Sequence, residues 1–306
     1  MTTSPELVVA IDVGGTRLKG ALVDAAAHRF HEETRSTPRD QGPDAVVDAI
    51  VAFATELAER GRRAGGTVSG AGVVVPGLVD ESKGVAILSA NLGWRDLPLR
   101  SMIESRLALP LGFGQDVRAG GLAEFRLGAA RGTVTALFVP VGTGIGAAMV
   151  VDGHLVSSGG LAGEIGHVAV DPAGASCGCG RRGCLETVAS AAAVMRRYAE
   201  RTGRAASGGG EIAHLAVSGD PVARMVWDEA VDALAAGLAT CTTLLAPEVI
   251  VLGGGLAESG GLLLDPLRGA LDARLTFERR PRLARAELGD RAGALGAALL
   301  AWERLR

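Results

Sequence analysis

Two short apolar runs open the chain, Leu7–Val13 and Leu18–Val23, joined by the glycine turn GGTR at 14–17. Apolar runs of this length bounded by glycine read as strands buried on both faces. A third extended segment, Phe30–Ser36, follows. From about Pro43 to Arg62 the spacing changes: Val46, Val47, Ile50, Phe53 and Leu57 recur near helical intervals and predict a long helix. A buried strand over Gly70–Val75 comes next, ended by Pro76-Gly77. Val85–Leu88 reads as extended and leads into a loop, SANLGWRDLP at 89–98. Leu99–Leu107 reads as a helix, LPLGFG at 109–114 as a short extended stretch, and Val117–Leu127 as a helix just past Asp116.

The pattern then restarts. Val134–Pro140 and Gly146–Val151 are apolar strands joined by VGTGIG at 141–146, an echo of the opening unit and so a weak internal repeat. A cysteine-rich loop, Ser176–Cys184, precedes a predicted helix from Glu186 to about Arg201. A Gly/Ser-rich loop, Ala206–Gly210, separates it from a long helix over about Pro221–Leu245. Val249–Leu252 reads as a strand followed by Gly253-Gly254-Gly255, and the chain closes on a helix from about Ala292 to Arg306. These elements predict two α/β domains, each opening strand, glycine turn, strand. The expected division is a smaller domain over 1–118, joined by the C-terminal helix 291–306, and a larger one over 119–290.

Composition narrows the class. Of 306 residues, 48% are hydrophobic and only 3% aromatic, with 45 glycines, which suits closely packed α/β layers. A net charge of −3 leaves no electrostatic footprint for nucleic acid. No basic leader with an apolar core stands at the N-terminus, and no apolar run is long enough to span a bilayer, so a cytoplasmic protein with no membrane partner is expected. Three of the four cysteines lie within eight residues, which in such a chain points to a metal rather than to disulfides.

Each candidate chemistry follows from residue type and spacing. In Asp12-Val13-Gly14-Gly15-Thr16 the glycines let backbone N–H groups approach a phosphate, Thr16 adds a hydroxyl, and Asp12 would hold Mg²⁺ through water. An ordinary hairpin turn carries the same residues. Gly142-Thr143-Gly144 is a second loop of this kind, and two such loops facing each other would hold one polyphosphate. The third glycine turn, with Gly254 and Gly255, would let a flat ring such as adenine lie against backbone, or is simply a tight strand-to-helix turn. His167, Cys177, Cys179 and Cys184 offer one imidazole and three thiolates, the donor set of a closed tetrahedral zinc site with no open position for substrate. Such a knot would fix Glu164, three residues before His167, and Glu186, two residues after Cys184, where carboxylates suit the hydroxyls of a neutral polyol. Asp116, at the junction of an extended segment and a helix, reads equally as a helix N-cap.

Taken in order, DVGGTRLKG at 12–20, VGTGIG at 141–146, GEIGH at 163–167, CGCGRRGCLE at 177–186 and VIVLGGG at 249–255 resemble the ROK family (repressor, open reading frame, kinase), in its sugar-kinase branch. The resemblance covers essentially the whole chain. It implies an actin-like, ribonuclease-H-like two-domain ATPase fold with the active site in an interdomain cleft, together with ATP, Mg²⁺ and a free hexose as acceptor, glucose first. It implies Asp116 as catalytic base and Glu164, His167 and Glu186 as sugar contacts. His167 would then serve twice, one ring nitrogen on zinc and the other toward a sugar hydroxyl. It implies phosphate loops at Gly14, Gly15, Thr16 and Lys19 and at Gly142, Thr143 and Gly144, with Asn91 lining the sugar pocket more loosely. One departure stands out: where the family usually has, before the catalytic Asp, an Asn that contacts a sugar hydroxyl, this chain has Gln115, one methylene longer. The resemblance implies Gln115 and Asp116 as sugar contacts in a pocket of altered shape or sugar preference. Another hexose or an N-acetylhexosamine as acceptor, or a catalytically silent sugar sensor, are the rival expectations. The first glycine loop begins at Asp12, so the winged helix-turn-helix of the repressor branch is not expected. A homodimer or homotetramer is the assembly that the resemblance implies.

Overall fold

The computed structural model describes residues 4–306; residues 1–3, at the start of the first predicted domain, lie outside it. The chain forms two compact units. One comprises the chain up to Ala123, Ser157–Ala162 and Asp290–Arg306; the other comprises Glu124–Val156 and Gly163–Gly289.

In the first unit, β1 (Glu6–Val13), β2 (Arg17–Asp24) and β3 (Arg29–Ser36) form an antiparallel meander. Helix α1 (Pro43–Arg63) crosses to β4 (Thr67–Val75), which pairs parallel with β1. The short strands β5 (Leu78–Asp80), β6 (Val85–Ser89) and β7 (Trp94–Leu97) make a separate three-stranded sheet. Helix α2 (Leu99–Leu107) then leads to β8 (Leu111–Gln115), parallel to β4, and α3 (Asp116–Leu127) carries the chain out of the unit. The main sheet has the order β3-β2-β1-β4-β8.

The burial of each strand follows from what covers it. β1 is buried along nearly its whole length, since α1 packs against it and the C-terminal helix α10 (Ala292–Arg304) does too. The apolar face of α1, from Val46 to Leu57, fills the core beneath the sheet, with Pro43 at its first turn and Arg60, Arg62 and Arg63 at its last. Phe53 is fully buried there, and burial of a side chain that size contributes about 2–3 kcal/mol. The outer strand β3 instead alternates half-buried and exposed positions and is studded with Arg29, Glu32, Glu33 and Arg35, charges that discourage edge-to-edge pairing with another chain.

The second unit repeats the plan. Strands β9 (Ala136–Pro140), β10 (Ala148–Val151) and β11 (His154–Leu155) form an antiparallel meander. A loop-rich segment leads to α4 (Leu185–Ala189), α5 (Ala191–Thr202), α6 (Gly209–Val217) and the 25-residue α7 (Pro221–Leu245). Strand β12 (Val249–Gly253) pairs parallel with β9; the short α8 (Gly254–Ala257) and α9 (Gly261–Asp272) follow, and β13 (Arg282–Arg285) pairs parallel with β12. The order is β11-β10-β9-β12-β13. Helix α7 packs against α4, α5, α6 and α9 and supplies much of the core.

Four local expectations change. The loop predicted over 89–98 contains β7, whose Trp94 is buried and donates its indole N–H to the Pro43 carbonyl. The single helix predicted over 186–201 is two, because Ser190 breaks away in an extended conformation and caps the second by accepting from the Ala193 N–H. The Gly/Ser-rich loop ends inside α6, and α9 and β13 had no counterpart in the predicted pattern.

Candidate functional site

The first unit has a carboxylate near the end of its central strand β1 and another just past its edge strand β8. Asp12 is the penultimate residue of β1, and Asp116 is the first residue of α3, directly after β8. Asp12 lies over the first turn of α10: a Cβ on Gly293 would fall 2.4 Å from Asp12 Oδ2, so only glycine leaves that carboxylate in place. Burial pushes Asp12 up to about 6; the Lys19 ammonium opposes this and Asp290 adds to it. Lys19 itself bonds the Asp290 backbone carbonyl at 3.2 Å and lies 3.6 Å from its carboxylate.

Burial, and next the Asp12 carboxylate, push Asp116 up to about 7, with the Val117 N–H and the Arg118 charge pulling the other way. A carboxyl poised near neutrality is suited to proton transfer at physiological pH. The N-cap reading also holds in part, since Asp116 Oδ1 accepts from the Val117 N–H at 2.8 Å.

Around Asp116 stand residues of two kinds. Gln115 is buried, with Nε2 donating to Asp116 Oδ1 at 2.7 Å and Oε1 accepting from the Arg118 N–H at 2.8 Å. Arg118 and Glu81, which no sequence pattern singled out, form an ion pair at 2.9 Å beside it, the arginine buried and the glutamate partly exposed. An arginine two residues past a helix start looks like any solvated charge; only the fold shows that its side chain is 2% exposed. The Gly14–Thr16 turn is closed by the Gly14 N–H to the Arg17 carbonyl and pinned by Thr37, whose hydroxyl donates to the Gly14 carbonyl. Asn91 is exposed, with its Cβ 3.6 Å from where a Cβ on Gly15 would stand.

The second unit brings the four predicted metal ligands together. One ligand atom each from His167, Cys177, Cys179 and Cys184 lies within 4.8 Å of the others. Cys177 Sγ is 3.5 Å from His167 Nδ1, and Cys179 Sγ is 3.7 Å from Cys184 Sγ. With bonds of about 2.3 Å to sulfur and about 2.0 Å to nitrogen, a tetrahedral zinc gives edges of about 3.5–3.8 Å, so the cluster fits the ion. Cys184 is buried, and burial with the neighbouring thiols holds it up at about 12; a bound cation would offset that cost.

This knot adjoins the remaining candidates. His167 presents Nδ1 to the thiols, and its Nε2 lies 4.0 Å from Glu164 Oε2. Cys184 is the N-cap of α4, which places Glu186 in the helix's first turn. Glu186 Oε2 accepts from the Ile145 N–H at 3.0 Å, and a Cβ on Gly144 would fall 2.5 Å from that oxygen. One carboxylate thus couples the cysteine knot to the Gly142–Gly144 loop, which is further fastened by the Ala191 N–H to the Gly142 carbonyl at 2.8 Å. Gly254 and Gly255 are exposed at the end of β12.

Comparison with known proteins places the chain in a family. The family model described as "ROK family" matches residues 8–304. A glucokinase of Streptomyces coelicolor is 32% identical over 97% of this chain and 98% of its own length. Among solved structures, a ROK hexokinase from Thermus thermophilus superposes with a TM-score of 0.86 at 34% identity, covering 98% of this chain and 99% of that one. A ROK family glucokinase from Streptomyces griseus, solved in complex with glucose and AMPPNP, gives 0.80 at 30% identity over 97% and 99%.

Proposed function

Because the chain belongs to the ROK family and has its two-domain actin-like fold, we propose that it is an ATP-dependent hexose kinase that converts glucose to glucose 6-phosphate. The observation that carries the reading is Asp116. It is a carboxyl raised to about 7 at the head of a helix, in a chain whose relatives over nearly full length include glucokinases.

In this reading Asp116 takes the proton of the attacking 6-hydroxyl while that oxygen bonds the γ-phosphorus and ADP departs with the electron pair of the broken bond. Glu164, His167 and Glu186 hold the sugar hydroxyls, and Asn91 contributes to the sugar pocket. Backbone N–H groups of Gly14, Gly15 and Thr16 and of Gly142, Thr143 and Gly144 receive the phosphates, with Lys19 as a nearby cation. Gly254 and Gly255 leave room for the adenine ring. Asp12 would hold Mg²⁺, which when bound would neutralise charge on the phosphates. The cysteine–histidine knot is a structural zinc site that fixes His167 and Glu186. The enzyme works in the cytoplasm as a homodimer or homotetramer and needs no nucleic acid.

The test is ADP release by purified protein with Mg·ATP and a panel of free hexoses and N-acetylhexosamines. Turnover with glucose above the others, abolished in Asp116→Ala, is expected. Faster turnover with an N-acetylhexosamine would reassign the acceptor. No turnover from folded, zinc-loaded protein would overturn the ATP-dependent hexose kinase in favour of a different donor, an untested acceptor or a silent sensor.

A further inference from the structure

We propose that Gln115 is a positioning residue for Asp116 rather than a contact to the sugar, and that the ion pair of the buried Arg118 with the partly exposed Glu81 is the brace that holds it there. This rests on the reading of Asp116 as the base.

The Gln115 amide is already committed at both ends. Its Nε2 donates to Asp116 Oδ1 at 2.7 Å and its Oε1 accepts from the Arg118 N–H at 2.8 Å. The orientation is set by chemistry. Turning the amide over would set its NH₂ against the Arg118 N–H and its oxygen against the Asp116 carboxylate, two repulsive pairs in place of two bonds. A sugar hydroxyl that displaced either bond would leave the buried Arg118 N–H unpaired or take one of its two donors from Asp116 Oδ1.

Asp116 Oδ1 receives two donors, Gln115 Nε2 and the Val117 N–H at 2.8 Å. Two bonds in different directions fix the rotation of the carboxylate plane. An oxygen that already accepts two hydrogen bonds is the poorer base, so the proton from the sugar hydroxyl goes to Oδ2. The hydroxyl O–H bond breaks, its electron pair forms the new O–P bond, and the proton ends on Oδ2.

The brace lies behind Gln115. The Arg118 side chain is 2% exposed, donates from Nε to Glu81 Oε1 at 2.9 Å and from Nη2 to the Val79 carbonyl at 2.9 Å. The same Glu81 oxygen accepts from the Gln115 N–H at 3.2 Å. One carboxylate oxygen thus ties the last residue of β8 to the first turn of α3, the junction from which Asp116 projects. A buried charge persists only when paired and hydrogen-bonded, and these bonds meet that condition. The charged groups acting on Asp116 are Asp12 from β1 and Arg118 from its own helix; Glu81 reaches it only through Gln115 and Arg118.

The experiment is steady-state kinetics of the full chain, Gln115→Met, Gln115→Glu and Asp116→Asn across pH, with Mg·ATP and glucose or whichever hexose of the panel turns over. Gln115→Met is expected to lower kcat about tenfold with the sugar KM within about twofold of the parent, since it frees the base without touching the acceptor. Gln115→Glu sets a second carboxyl against Oδ1 and is expected to move the acidic limb of kcat up by about one pH unit. It keeps side-chain length and an acceptor for the Arg118 N–H, so it carries the test if Gln115→Met does not fold. A sugar KM raised tenfold or more at unchanged kcat would overturn the proposal and make Gln115 a sugar contact. If Asp116→Asn abolishes turnover while both Gln115 variants keep the parental kcat and acidic limb, positioning fails and the base stands. If Asp116→Asn keeps its rate, the base reading itself fails and the proposal falls with it.

Discussion

The two units share a sheet order and differ in how they hold their chemistry. In each, a three-stranded antiparallel meander is extended by two parallel strands, β3-β2-β1-β4-β8 in one and β11-β10-β9-β12-β13 in the other. Where β1 ends in Asp12-Val13-Gly14, β9 ends in Pro140-Val141-Gly142, so the strand-end carboxylate belongs to the first unit alone. Asp12 and Asp116 sit on regular elements; burial raises both, Lys19 and Asp290 act on Asp12, and Asp12, the Val117 N–H and Arg118 act on Asp116. Glu164, His167 and Glu186 sit on a loop-rich segment and the turn of a five-residue helix, fastened by a cysteine–histidine knot. A packed sheet positions a side chain without help. A segment with little regular structure pays ordering entropy that a cross-linking ion offsets.

The contrast predicts two separable failures. The larger is chemical. Asp116→Asn is expected to lower kcat at least about a hundredfold while sugar affinity, measured by calorimetry, changes little. A loss of sugar binding as large as the loss of rate would make Asp116 a binding residue first.

Next in size is the metal. Cys179→Ser is expected to purify without zinc by elemental analysis, to lose a few kcal/mol of stability, and to weaken sugar binding about tenfold or more, since the knot orders the segment that carries its contacts. A metal-free variant with parental melting temperature and activity would end the structural role.

The smallest effect is on pH dependence, and it has two signs. As a base Asp116 must be ionised, so kcat/KM is expected to fall as pH drops below about 7. For stability the direction reverses. A folded-state value above the ordinary one for aspartate means the native state holds a proton that the unfolded chain has released. This group's contribution to stability is therefore fully present below about 4 and lost as pH rises to about 7. Asp116→Asn is thus expected to gain roughly 1–2 kcal/mol over the parent at pH 8, after solvent screening, and to match it near pH 4 by thermal unfolding. Equal melting temperatures at both pH values would show that burial does not tax this carboxylate.

Much of this was legible from periodicity. β1, β2, β9, β10, α1, α7 and α10 follow from apolar spacing, because each presents a long or continuous apolar face. What escaped has weak local signals. Helix α6 begins with two glycines, α9 contains Pro266 between glycine-rich flanks, and β13 is four residues with only Leu283 buried. Tertiary packing overrides propensity in all three.

The candidate site divides the same way. Clustered cysteines with a nearby histidine, glycine turns between strands and a carboxylate at a helix start are local patterns with local physical causes, so the sequence alone determined them. The resemblance implies Gln115 as a sugar contact; in the structure its amide bonds Asp116 Oδ1 and the Arg118 N–H. That Arg118 is buried, that Glu81, well over thirty residues away in sequence, neutralises it, and that Asp12 lies over Gly293 are long-range facts. Only the tertiary structure decided them, because desolvation and the pairing of charge depend on which surfaces the fold brings together, and no spacing along the chain encodes that.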